Sequence, residues 1–152
     1  PVLWFTNAAI QTLQKRTRLI ACGSAGGLAA GPGTEQMLLQ CAAKTLGVVV
    51  SGGHIVHGTR RSKLTRPNQA SGLEVKFQAE LARAAAGLKR TDVNDVVNQL
   101  MKKYEGKSEP ERAPEGMVFE ELYDLKSLKP RPEYLEIYNK VKKDLEELSI
   151  PV

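Results

Sequence analysis

Thr17-Arg-Leu-Ile-Ala-Cys-Gly-Ser-Ala-Gly-Gly-Leu-Ala-Ala-Gly-Pro-Gly-Thr-Glu35 is an apolar run that empties into a glycine-rich loop and closes on a helix start. Thr34 supplies a cap oxygen and Glu35 complements the positive end of the helix that follows. The stretch therefore reads strand, loop, helix, and α/β proteins place their chemistry at such strand ends. A second unit comes soon after. Leu46-Gly-Val-Val-Val-Ser-Gly-Gly53 is again apolar and then glycine, and it leads to His54 and His57.

Working outward, Thr17–Ala21 and Val48–Val50 are the expected strands, short, apolar and bounded by glycine. Helices are expected over residues 6–16 and 34–46, over Gly72–Ala86 behind a Ser71 cap, and from Thr91 or Asp92 to about Tyr104. A short helical stretch is expected over Phe119–Tyr123 and a last helix over Glu133–Leu148, each from apolar residues at three- and four-residue spacing. Residues 105–116 form a polar Pro/Gly connector. Parallel strands need cover on both faces, and two of them cannot close a barrel. The count predicts either a mainly helical domain with a small sheet or the end of a larger α/β fold.

The 152 residues, 41% hydrophobic and 26% charged, are those of a globular chain. Its apolar runs fall short of the roughly 20 residues of a membrane span, and no secretory signal is evident. The first residue is Pro rather than Met, which predicts a chain trimmed or excised from a longer one. Cys22 and Cys41 are too few for a disulfide framework and are expected to be buried, reduced thiols of a cytoplasmic protein. Charge is unevenly spread. Residues 1–90 hold 12 Lys/Arg against 3 Asp/Glu, a balance of +9, whereas residues 91–152 hold 10 against 14, a balance of −4. The basic half peaks at Arg60, Arg61, Lys63 and Arg66. No aromatic residues interleave there, which argues against nucleic-acid stacking and leaves a solvated loop or one facing an acidic partner.

The glycine loop Gly23–Gly33 lacks the Gly-Lys-Ser/Thr of a phosphate-binding loop and the spacing of a dinucleotide fingerprint. Ser24 and Gly27 are its candidate pocket residues. Ser51-Gly-Gly53, if it follows a strand, is a candidate cradle for an anionic edge. His54 and His57 are candidate acid/base groups, since imidazole titrates near neutrality. A metal site would need Cys22 as third ligand, and no metal is assigned. A hydrolase reading of Ser24 with either histidine lacks a Gly-x-Ser-x-Gly elbow.

Four segments carry a resemblance: Gly31-Pro-Gly-Thr-Glu-Gln-Met-Leu-Leu39, Gly72–Gly87, Phe119-Glu-Glu-Leu-Tyr-Asp-Leu-Lys126, and the C-terminal Pro132–Leu148. In this order they resemble the C-terminal third of the monomethylamine:corrinoid-protein methyltransferases of methylotrophic methanogens. The resemblance implies an α/β fold: the C-terminal strands and helices of a (β/α)8 TIM-type barrel in residues 1–90 and a helical C-terminal extension in residues 91–152. It implies methyl transfer from a methylated amine to the cobalt of a corrinoid held by a partner protein. Completion by another barrel segment or homo-oligomerisation is implied with it. The family's pyrrolysine would lie upstream of this chain, and the family's loop Gln and Tyr fall at Ala25 and Gly27. Ser24, Gly27, Ser51, His54 and His57 are then the expected mouth residues, with Arg60, Arg61 and Lys63 the expected docking rim for the corrinoid protein. The alternative is a non-catalytic subunit that binds a partner through its strand edge and basic loop.

Overall fold

The buried residues Met37, Leu38, Leu39, Cys41, Ala42, Ala43, Leu46 and Val48 lie on every side of one helix, α2 (Glu35–Val50), which makes it the axis of the molecule. In this computed structural model, which describes residues 2–24, 27–107, 109 and 111–152, the helix begins as expected, with the Thr34 hydroxyl accepting from the Met37 amide. It does not stop at residue 46. Val48–Val50, expected as a strand, are its last turn: enclosure by neighbouring helices outweighs the β preference of three valines, and Ser51 and Gly52 end it.

The strands are correspondingly displaced. β1 is Cys22–Ser24 and β2 is Ile55–His57, parallel, with Cys22 opposite Ile55, Gly23 opposite Val56 and Ser24 opposite His57. Pairing resumes at a Leu28–Arg61 bridge. Thr17–Ala21, the expected first strand, is instead the link from α1 (Val2–Arg16), with Leu19 66% and Ile20 72% exposed. Pairing begins only where a partner backbone arrives, and Ala21 O accepts from the amides of His54 and Ile55.

The remaining elements are α3 (Gly72–Ala85), α4 (Arg90–Lys103), α5 (Phe119–Leu122), the antiparallel pair β3 (Tyr123–Asp124) and β4 (Lys129–Pro130), and α6 (Pro132–Glu147). Tyr123, expected as helix, belongs to that small hairpin. The main core gathers Leu73, Phe77 and Leu81 of α3, Val93, Val97 and Leu100 of α4, and Tyr134, Tyr138 and Val141 of α6 around α2. Phe77 and Tyr138 meet edge to face at 5.6 Å. A smaller cluster of Ile10, Ala21 and Val48, with Val56, lies under the strands. Among the described residues, no helix is long and apolar enough to cross a membrane.

The β1–β2 sheet is covered on one face. A Cβ at Gly23 would lie 2.3 Å from Val48 Cγ1, so that face is pressed onto α2. The other face presents Cys22, Ser24, Ile55 and His57, all exposed.

Candidate functional site

The parallel register places the expected site residues at two ends of the sheet. Ser24 and His57 are directly opposed at the C-terminal ends of β1 and β2. Gly27 lies just beyond, at φ +67°, with its carbonyl accepting from Lys44 Nζ at 3.1 Å. Burial of the Lys44 ammonium lowers its pKa. These three residues share the loop edge where α/β folds carry chemistry.

Ser51 and His54 are at the other end. Ser51 is the C-cap of α2, and its hydroxyl accepts from Gln11 Nε2 at 3.3 Å. His54 precedes β2; its Nδ1 accepts from the Ala21 amide at 3.2 Å, tying the start of both strands. The ring also borders a groove of about 310 Å³ with Gly53, Val56, Val75 and Gln78. The expectation that Ser51-Gly-Gly53 follows a strand is therefore corrected. It closes a helix, whose C-terminal end carries partial negative charge and disfavours an anion.

The two loops beyond the strands are tightly bound together. Arg61, expected at an accessible rim, is 4% exposed. Its Nε donates to Ala29 O at 3.2 Å and its Nη1 to Thr65 Oγ1 at 2.9 Å, so it ties the second loop to the first. Arg60 and Lys63 stay at the surface, Lys63 beside Glu111 at 3.4 Å. Arg66 pairs with Glu121 at 2.7 Å. Gln69 and Gln40 work beneath them: Gln69 accepts from the Thr65 and Arg66 amides, and Gln40 from those of Ala29 and Ala30.

The thiols differ. Cys41 is buried against Thr45 and Thr59, and burial pushes its pKa up to about 11. Cys22, expected to be buried, is exposed because it points away from α2. Among the described residues, no three His, Cys, Asp or Glu side chains are grouped to hold a metal ion.

Glu74 and Tyr134 are absent from the sequence-based candidates. Glu74 is 1% exposed and accepts from the Gly33 amide at 3.4 Å, from Ser71 and from the Tyr134 phenol. Ser71-Gly-Leu-Glu74 carries the spacing of a capping box. That pattern flags the pair but does not reveal that the carboxylate turns inward.

The monomethylamine methyltransferase MtmB family model matches residues 2–150. Monomethylamine methyltransferase MtmB2 of Methanosarcina acetivorans is 37% identical to the chain over 121 residues, and MtmB of Methanosarcina mazei is 36% identical over the same length. Each alignment covers 80% of the chain but 26% of the relative, so the chain spans about a quarter of the length of the curated relatives it matches. The crystal structure of Methanosarcina barkeri MtmB superposes on 95% of the chain with a TM-score of 0.88 at 31% identity, using 31% of its own length. A crystal structure of the hydroxylamine complex of MtmB gives the same values.

Proposed function

The chain belongs to the monomethylamine methyltransferase MtmB family, and on that premise we propose that it is the C-terminal part of a (β/α)8-type barrel methyltransferase. Residues 1–90 supply its last βα units, and residues 91–152 form a helical extension. The observation that carries this reading is the bare face of the sheet. Two parallel strands with Cys22, Ser24, Ile55 and His57 uncovered are stable in company, as the inner wall of a closed barrel is.

In that setting Ser24, Gly27 and His57 line the mouth. Gly27 leaves space, since the atoms nearest its absent Cβ, Lys44 Nζ and Ser62 Cβ, are 4.0 Å away. That opening suits a bulky group brought from outside, here the corrinoid of a partner protein, whose cobalt would accept the methyl group. This chain's part is to hold the methylated amine in line with that acceptor. His57 is placed to exchange a proton with the amine nitrogen. Arg60 and Lys63 form the accessible rim for the partner, over Arg61. At the far end of the strands, His54 ties the two strand starts together through the Ala21 amide, and Ser51 joins the end of α2 to Gln11 of α1.

A second reading, a non-catalytic interaction subunit, draws support from the absence of the family's Gln and Tyr side chains at Ala25 and Gly27. Ala25 lies outside the described residues. Co-expression of the chain with the upstream barrel portion of the Methanosarcina barkeri relative separates the two. The enzyme reading expects a stable complex that demethylates methylamine and methylates the corrinoid protein. A complex without turnover leaves the interaction subunit, and a chain that folds alone and ignores the upstream portion overturns the barrel.

A further inference from the structure

Glu74 brings three elements to one carboxylate. It stands in the first turn of α3, receives the Gly33 amide from the loop after β1, and receives the Tyr134 phenol from α6. Ser71, the α3 cap, donates to its other oxygen and lies 2.9 Å from Tyr134 Oη. A carboxylate at 1% exposure is a costly group to bury. An acid serving only the helix N-terminus would do so equally well from the surface. What the buried position adds is a grip on Gly33, the last loop residue before the Thr34 cap of α2.

Residues 31–33 of the same loop are held by the extension. Gly31 N donates to Pro114 O and Met117 N to Pro32 O, both at 2.9 Å. A Cβ on Gly31 would lie 1.7 Å from Glu115 O, so the two backbones touch. Gly33 has φ +74°, and a Cβ there would lie 2.5 Å from Leu122 Cδ2. Residues 31–33 have little freedom while these contacts stand.

We propose that Glu74 is a positioning residue: its buried carboxylate fixes the Gly33 backbone, and through Tyr134 the C-terminal extension holds the glycine loop at the mouth of the reaction site. The inference rests on the reading of that loop as part of the site. Gly33 and Tyr134 share one carboxylate oxygen and Ser71 takes the other, so glutamine at position 74 keeps the shape but turns an NH2 on either Ser71 or the Gly33–Tyr134 pair. Phenylalanine at 134 keeps the ring and removes one donor.

Residue-resolved amide exchange on the full chain and on Glu74→Gln and Tyr134→Phe tests this. The Gly33 amide and its loop neighbours are expected to exchange about tenfold to a hundredfold faster in Glu74→Gln, and by a smaller factor in Tyr134→Phe. Amides in the middle of α2, such as that of Leu46, should be unchanged in both. Equal acceleration throughout the chain, or none in the loop, overturns the proposal. If Glu74→Gln does not fold, the Tyr134→Phe profile decides by the same criterion. In the complex with the upstream barrel portion, at equal folded fraction, kcat is expected to fall in both variants. An inactive wild-type complex would sink the site reading, while the exchange profile would still decide the role of Glu74 in holding the loop.

Discussion

At the scale of single residues, the pH dependence of stability is the clearest consequence of Glu74. Burial pushes its carboxyl above the ordinary 4.5, outweighing the hydroxyl and amide donors that pull it down. The native state then keeps a proton that the unfolded chain releases, so this group's contribution to stability declines as pH rises from 4.5 through its native pKa. Asp144 works in the opposite sense: its hydrogen bond to Lys103 holds it below the usual carboxylate range, and its contribution is lost as pH falls. Urea denaturation across roughly pH 4 to 8 should show Glu74→Gln lacking the decline that the wild type has on the upper side. Equal slopes in both proteins would contradict the assignment. Gly31 makes a second residue-scale prediction. Because its absent Cβ would meet main chain, which cannot rotate away, Gly31→Ala should cost about 3 kcal/mol or more, read from the urea midpoint.

At the scale of elements, the two loops after β1 and β2 behave as one body. Arg61 reaches across to Ala29, and its substitution leaves a buried carbonyl without its donor. Arg61→Ala should therefore cost about 2–4 kcal/mol. Arg60→Ala, at the exposed neighbour, should stay within about 0.5 kcal/mol and, on the proposed docking role, weaken binding of the corrinoid protein. Thermal unfolding of both variants beside a binding titration checks the contrast, and the reverse order would refute it. These loops also explain which parts of the fold could be read from sequence. The caps at Thr34 and Ser71 and the apolar stripes of α3, α4 and α6 are local signals, and they stand where expected. Val48–Val50 carry an equally local β signal and are helical, because α2 is surrounded and a strand there would break its packing.

At the scale of the whole molecule, part of the charge imbalance between the two halves is met by ion pairs across them. Lys63 meets Glu111 and Arg66 meets Glu121, so the basic loop of the first half faces acidic residues of the second. One core, running from Leu28 to Ile150, joins the same halves. The bare sheet face is the inner wall of the proposed barrel, and Cys22 reports on it. In the chain alone, iodoacetamide should label Cys22 and spare Cys41, whose thiol is buried and pushed up to about 11. Mass spectrometry should find one adduct natively and two after denaturation. Addition of the upstream barrel portion should slow Cys22 labelling by roughly tenfold or more as the inner wall closes. Unchanged labelling in the complex would mean that the face is not an inner wall.

The order of the four segments already set the family, because strand-to-loop transitions, caps and stripes depend on residues a few positions apart. From the same local information came the glycine loop as the edge to inspect, and Ser24, Gly27 and His57 beside it. Tertiary structure alone decided the rest. It moved the strands to 22–24 and 55–57, sent Ser51 and His54 to the opposite end, and turned Arg61 inward. It also drew Glu74, Tyr134 and Gly33 together across 60 and 41 positions of chain. Register and burial are set by which distant backbone supplies the partner, and spacing along the chain does not encode that choice.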